Sequence, residues 1–111
     1  MRKIHLAFIP MFIMVSILPI SCIQIGTVPK ISPGEEAFVL HCRVCHATGG
    51  NVLDPAKTLH HKDLAKNGIV TAADIVAKMR NPGPKMTKFG ESVIPDRTAH
   101  AIADYILEAF K

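Results

Sequence analysis

The sequence predicts an all-α domain of about four helices. Three observations carry that prediction. Two helix starts are written out with their caps, Ser32-Pro33-Gly34-Glu35 and Thr71-Ala72-Ala73-Asp74. The last segment repeats Ala99, Ile102, Ala103, Ile106 and Phe110 at helical spacing. No stretch between them alternates apolar and polar residues as a half-buried strand would.

Residues 1–26 read as an export signal or a membrane anchor. Arg2 and Lys3 form a positive start, and Ile4 to Ile20 is almost wholly apolar, broken by His5, Pro10, Ser16 and Pro19. Three fates stay open. Leu18-Pro19-Ile20-Ser21-Cys22 resembles a bacterial lipobox with the Leu one residue early, which would lipidate Cys22. Simple cleavage is the second fate. Retention is the third, because the apolar stretch to Ile25 is long enough to span. All three put residue 30 onward across the membrane, in a periplasm or thylakoid lumen. Residues 27–32 are a short extended linker, and 33–111 form the one domain. The hydrophobic content of 49% is inflated by the leader. Without Arg2 and Lys3 the formal charge falls from +4 to +2, and no basic run or aromatic platform suggests nucleic acid. A weakly charged monomer suits transient encounter with a partner.

The first helix starts with Ser32 as cap, Pro33 at its first position and Glu35 three residues on. Ala37 and Phe38, with Val39 beside them, form its apolar side. It runs toward Cys42. Ala47 to Ala56 holds Gly49, Gly50, Asn51 and Pro55 and is loop. Lys57 to Asn67 contains a short helix ended by Gly68. A further helix is capped by Thr71, buries Ile75, Val76 and Met79, and is stopped by Pro82. Asn81-Pro82-Gly83-Pro84-Lys85-Met86 makes a stiff, turned loop. Pro95 suits the first turn of the last helix, which keeps Arg97, Asp104 and Glu108 outside.

Cys42-Arg43-Val44-Cys45-His46 is the stretch that carries chemistry. A Cys-x-x-Cys-His run is the attachment signature of a c-type haem. Each thiol can add across one vinyl group, and His46 can reach the iron. A redox dithiol would leave His46 unexplained. A zinc site wants a second ligand pair at matching spacing, and no second CxxC exists. One covalent haem c would also give so small a chain an apolar surface to pack around.

A second axial ligand is then needed. Met1, Met11 and Met14 lie in the leader, and Met79 sits on an apolar helical face. Met86 lies in the stiff loop, where packing rarely calls for a Met, and is read as the ligand; Met/His ligation raises the potential. His60 and His61 are adjacent histidines in a polar stretch, read as surface, with metal ligation the alternative.

With these residues in place the chain resembles a class I c-type cytochrome, most closely the cytochrome c6 (c-553) family, over about residues 32–110. Gly34 and Phe38 stand eight and four residues before Cys42. Asn51-Val52, Lys57-Thr58-Leu59, Leu64 and Asn67-Gly68 resemble the family's segment after the haem motif. The His46 to Met86 spacing and Phe89 also match, as does Asp104-Tyr105-Ile106-Leu107 in the last helix. The resemblance implies a small cytochrome c fold around one haem. It also implies a one-electron carrier, not an enzyme, running from a cytochrome bc1/b6f-type complex to photosystem I or a terminal oxidase. Asn51 and Lys57 are weaker candidates for supporting the haem or its propionates. Two departures stand out. Thr87-Lys88 follows Met86 where the family commonly has Pro, and the family's haem-side Gln falls on Lys78, whose ammonium could tune the potential. The rivals are a haem sensor or peroxidase-like protein with an open sixth position, and a haem subunit of a larger complex.

Overall fold

The computed structural model describes residues 26–111, so the leader and the fates weighed for Cys22 lie outside the described residues. Residues 26–32 form no helix. The elements that follow are all helical: α1 (Pro33–His41), α2 (Arg43–His46), a 3-10 turn (Ala47–Gly49), α3 (His61–Lys66), α4 (Ala72–Arg80) and α5 (Asp96–Ala109). The one helix beyond the four expected is α2, a single turn set off from α1 where Cys42 takes φ −118° and ψ −33°. None of the described helices is long and apolar enough to cross a membrane.

The caps form as their residues dictate. Ser32 accepts from the Glu35 amide (3.0 Å) with Pro33 opening the first turn. Thr71 and Asp74 close a reciprocal capping box. Gly68, at φ +73°, takes the left-handed position that ends α3. Pro95 sits one place earlier than expected. It precedes α5 at the cap position instead of lying in its first turn.

Packing centres on the crossing of α1 and α5. Gly34 is buried there because only a residue without a Cβ lets α1 approach the Ala101 carbonyl. One turn on, the Phe38 ring packs against Tyr105 (centroids 5.2 Å apart) and Phe110 (5.5 Å). Val39 does not share that face. It is 46% exposed, because successive helical residues point about 100° apart. Ile75, Val76 and Met79 of α4 meet Ala99, Ile102, Ala103 and Ile106 of α5 in one core. Ile94 is fully buried in that core from the turn ahead of α5, where no periodicity marks it. The short α3 is tied to the end of α5. The His61 amide donates to the Phe110 carbonyl (3.1 Å) and its Nε2 to the Leu107 carbonyl (2.7 Å).

Candidate functional site

The loops and helices enclose a cavity of about 390 Å³. Leu59, Leu64, Ile69, Ile75, Met79, Ile102 and Ile106 make most of its lining apolar. Cys42, His46 and Met86 also line it, although His46 and Met86 stand far apart in sequence. That volume falls in the ordinary range for a small-molecule or cofactor site.

His46 ends α2, and the chain then doubles back through Thr48 (φ +53°) and Gly49 (φ +78°). Gly49 needs its missing Cβ twice: for that φ, and because the Phe110 ring would lie 2.6 Å from such an atom. The reversal brings the Gly50 carbonyl 2.8 Å from His46 Nδ1. With Nδ1–H donated there, Nε2 is the nitrogen free to act as a ligand. Cys42 is half-buried, and that burial pushes its thiol up to about 11. Cys45 is half-buried too but does not line the cavity; its carbonyl accepts from the Val52 amide (3.1 Å). Both thiols are free.

Met86 is half-buried on a loop stiffened by Pro82 and Pro84, and its amide bonds the Gly83 carbonyl (3.2 Å). The loop is closed at its neck. The Phe89 amide donates to the Met79 carbonyl (3.0 Å), and Arg80 Nη1 donates to the Phe89 carbonyl (2.9 Å). Met79 is 3% exposed and belongs to the core, as its helical face implied, but it also forms part of the cavity lining.

Of the weaker candidates, Asn51, Lys57 and Lys78 all line the cavity. Asn51 is largely occupied in shaping its own loop. Its Oδ1 accepts from the Leu53 and Asp54 amides (3.0 Å each) and its Nδ2 donates to the Lys57 carbonyl (2.9 Å). Lys57 pairs loosely with Asp54 (3.7 Å), another lining residue. Lys78 is exposed at the rim. Neither His60 nor His61 lines the cavity. The His60 ring packs on Phe110 (6.0 Å) while His61 holds α5. The described residues contain no cluster of three or more His, Cys, Asp or Glu that could hold a bare metal ion. The Gly50 carbonyl and the Arg80 side chain were not singled out by the sequence. Arg80 carries only one local signal, its place at the end of the helix before Asn81-Pro82.

The cavity therefore presents an imidazole with one nitrogen pre-engaged, a thioether, the Cys42 thiol and an apolar lining, with the Cys45 thiol three residues on from Cys42 and outside the lining. That combination fits a haem held by thioether bonds.

Residues 29–106 match the family described as cytochrome C oxidase, cbb3-type, subunit III. The chain is 34% identical over 92 residues to cytochrome c6 of Cyanidioschyzon merolae, covering 83% of this chain and 86% of that one. It is 35% identical over 75 residues to cytochrome c6 of Gloeothece citriformis, covering 68% and 67%. Among solved structures it is similar to OmcF, an outer-membrane cytochrome from Geobacter sulfurreducens. There the TM-score is 0.69 at 45% identity, covering 70% of this chain and 99% of that one.

Proposed function

This chain belongs to the cytochrome c family, and on that footing we propose which of its residues carry the electron-transfer site and where it works. As a c-type cytochrome it holds one covalent haem c and is an electron carrier, not an enzyme. In our reading Cys42 and Cys45 are the attachment residues, and His46 Nε2 and the Met86 sulfur are the axial ligands. The observation that carries this is the convergence of Cys42, His46 and Met86 on one apolar cavity, with His46 Nδ1 already bonded to Gly50.

The haem supplies a one-electron ferric/ferrous couple. With His46 and Met86 both held to it, the group would have no open position for a substrate. The apolar part of the lining would limit water at the bound group, and the imidazole tied to Gly50 and the Met loop stiffened by Pro82 and Pro84 would hold the two ligating side chains in place in either oxidation state. Reorganisation on electron transfer is then small. Asn51 and Lys57 stand at the cavity where polar haem edges would need partners. The Lys78 ammonium would disfavour the extra positive charge of the ferric state and raise the potential.

The setting we propose is an exported one, in a periplasm or thylakoid lumen, with residues 1–26 as leader and 33–111 as the haem domain. Cys22 or the leader would supply any membrane attachment. The outer-membrane name of OmcF supports that option. The partners proposed are a bc1/b6f-type complex as donor and photosystem I or a terminal oxidase as acceptor. The match to an oxidase subunit favours a second reading, a haem subunit docked on a larger complex. The test is the visible spectrum of the exported protein, reduced, with and without carbon monoxide. Six-coordinate haem indifferent to carbon monoxide fits the carrier. Ready binding at neutral pH removes Met86 as ligand and favours a sensor. A complex that co-purifies through detergent and salt favours the subunit reading.

A further inference from the structure

We infer that Arg80 is the positioning residue that holds Met86 at the cavity, an inference that rests on reading Met86 as an axial ligand. Arg80 is the last residue of α4. Its guanidinium donates through Nη1 to the Phe89 carbonyl (2.9 Å) and through Nη2 to Asp96 Oδ1 in the first turn of α5 (2.6 Å). Its side chain is 22% exposed and its bond to Phe89 is half-buried, so that bond is sheltered from full solvent competition, whereas Asp96 is 62% exposed. One planar fork thus joins the end of α4, the exit of the Met86 loop and the start of α5.

The two sides of the loop are built differently. Its entry is stiff, because Pro82 and Pro84 each lock φ. Its exit is Thr87-Lys88, both exposed, with no proline to restrict them. What holds the exit is the neck at Phe89, whose amide bonds Met79 and whose carbonyl bonds Arg80. The amide bond belongs to the backbone and survives any substitution at position 80. The carbonyl bond, charge-assisted, depends on Arg80 alone. An open neck would let the thioether swing away, and an outside ligand would bind in proportion to the fraction of molecules so opened.

The experiment uses the exported holoprotein with Arg80→Ala, Arg80→Lys, Asp96→Asn and Thr71→Ala. Two readouts are compared: the weak far-red band of Met-ligated ferric haem, and the affinity for imidazole. Arg80→Ala should weaken the band and tighten imidazole binding by roughly tenfold or more, the factor expected for one lost charge-assisted hydrogen bond. A lysine ammonium reaches one partner but not both, so Arg80→Lys should fall between. Asp96→Asn keeps the Phe89 bond and should stay within about twofold of wild type. Thr71→Ala destabilises α4 at its far end and should also leave both readouts unchanged. The inference is overturned if Arg80→Ala keeps the band and binds imidazole as wild type does. It is also overturned if Thr71→Ala loosens the ligand equally, since general instability would then explain the effect. If Arg80→Ala yields no holoprotein, Arg80→Lys decides on the same readouts. Wild-type protein lacking the band would instead remove the Met86 reading, and this inference with it, before any variant is compared.

Discussion

A Cβ on Gly34 would overlap the Ala101 carbonyl oxygen and come within 2.8 Å of its carbonyl carbon. The obstacle is backbone of a packed helix, so it cannot rotate away. Gly34→Ala must push α1 off α5, and Phe38 then loses its seat on Tyr105 and Phe110. Overpacking of this kind costs about 1–3 kcal/mol or more. A thermal melt of the holoprotein should show the loss, with the haem spectrum at room temperature unchanged. A melt matching wild type would mean that the helices do not cross so closely.

The capping box of α4 gives a pH prediction. The Thr71 hydroxyl, then the Val70 and Thr71 amides, hold the Asp74 carboxyl below the usual carboxylate range. The folded state therefore binds this proton less readily than the unfolded chain does. The stabilisation is present above the unfolded pKa and is lost as pH falls through the folded one. Asp74→Asn should flatten that part of the acid limb. Thermal midpoints followed from neutral pH into the carboxylate range would check it, and parallel limbs for the two proteins would contradict it.

The parts of the fold legible in sequence are those set by near neighbours. Ser32 and Thr71 sit within one turn of the amides they cap, and Ile102 and Ile106 repeat on one helix, so a short window contains the cause. Cys42, Cys45 and His46 are contiguous, and Met86 is marked by being an apolar side chain among turn residues. Other features are set by local backbone reversals or by which face meets another part of the chain. Ile94 is buried because α5 returns over it. Val39 is exposed because the Phe38 direction alone faces α5. The bond from Arg80 to Phe89 spans a loop, and the Gly50 carbonyl reaches His46 only through a left-handed Thr48. Val39 apart, which helical geometry turns away from the Phe38 face, none of these has a spacing rule that composition or periodicity could detect.

The haem-free chain should be largely unfolded, because the apolar faces of short helices are left around a cavity. Cysteine reactivity reports on this directly. In a folded apo state, burial would raise the Cys42 thiol from its ordinary 9.0 to about 11. The Cys42 contribution to stability would then be constant below pH 9.0 and would turn unfavourable as the unfolded chain ionised first. Cys42 would also react more slowly than Cys45, since the thiolate is the nucleophile. The expected result is equal alkylation of the two cysteines with low helical circular dichroism. Selective protection of Cys42, with a cooperative melt, would show that the fold stands without its haem.

Lys78 tests whether the cavity rim sets the potential. Its ammonium carries a positive charge at the lining, which favours the ferrous state. Lys78→Gln should lower the potential without altering the spectrum. Because the residue is exposed, the shift should shrink as ionic strength rises. An unchanged potential at low salt would mean that the side chain lies outward in water, away from the iron.

Two methionines line the cavity, and their roles separate on substitution. Met86 stands on a loop, half-buried at the cavity and at the edge of the core, whereas Met79 lies inside that core. Met86→Ala should abolish the far-red band, open the sixth position to imidazole or carbon monoxide, and lower the potential, since Met/His ligation is what raises it. Met86→His should also lower the potential but leave the site closed. Met79 is 3% exposed within the core shared by α4 and α5, so Met79→Ala removes packed volume. It should cost on the order of 2–5 kcal/mol in thermal or denaturant unfolding while the band persists. The reverse pattern, with the band lost from Met79→Ala and kept in Met86→Ala, would exchange the two assignments. Loss of the band from both would mean that Met79 supports the seat of the Met86 sulfur, and carbon monoxide binding would then rank the two. Met86→Ala should bind it readily at neutral pH, and Met79→Ala only as the protein unfolds.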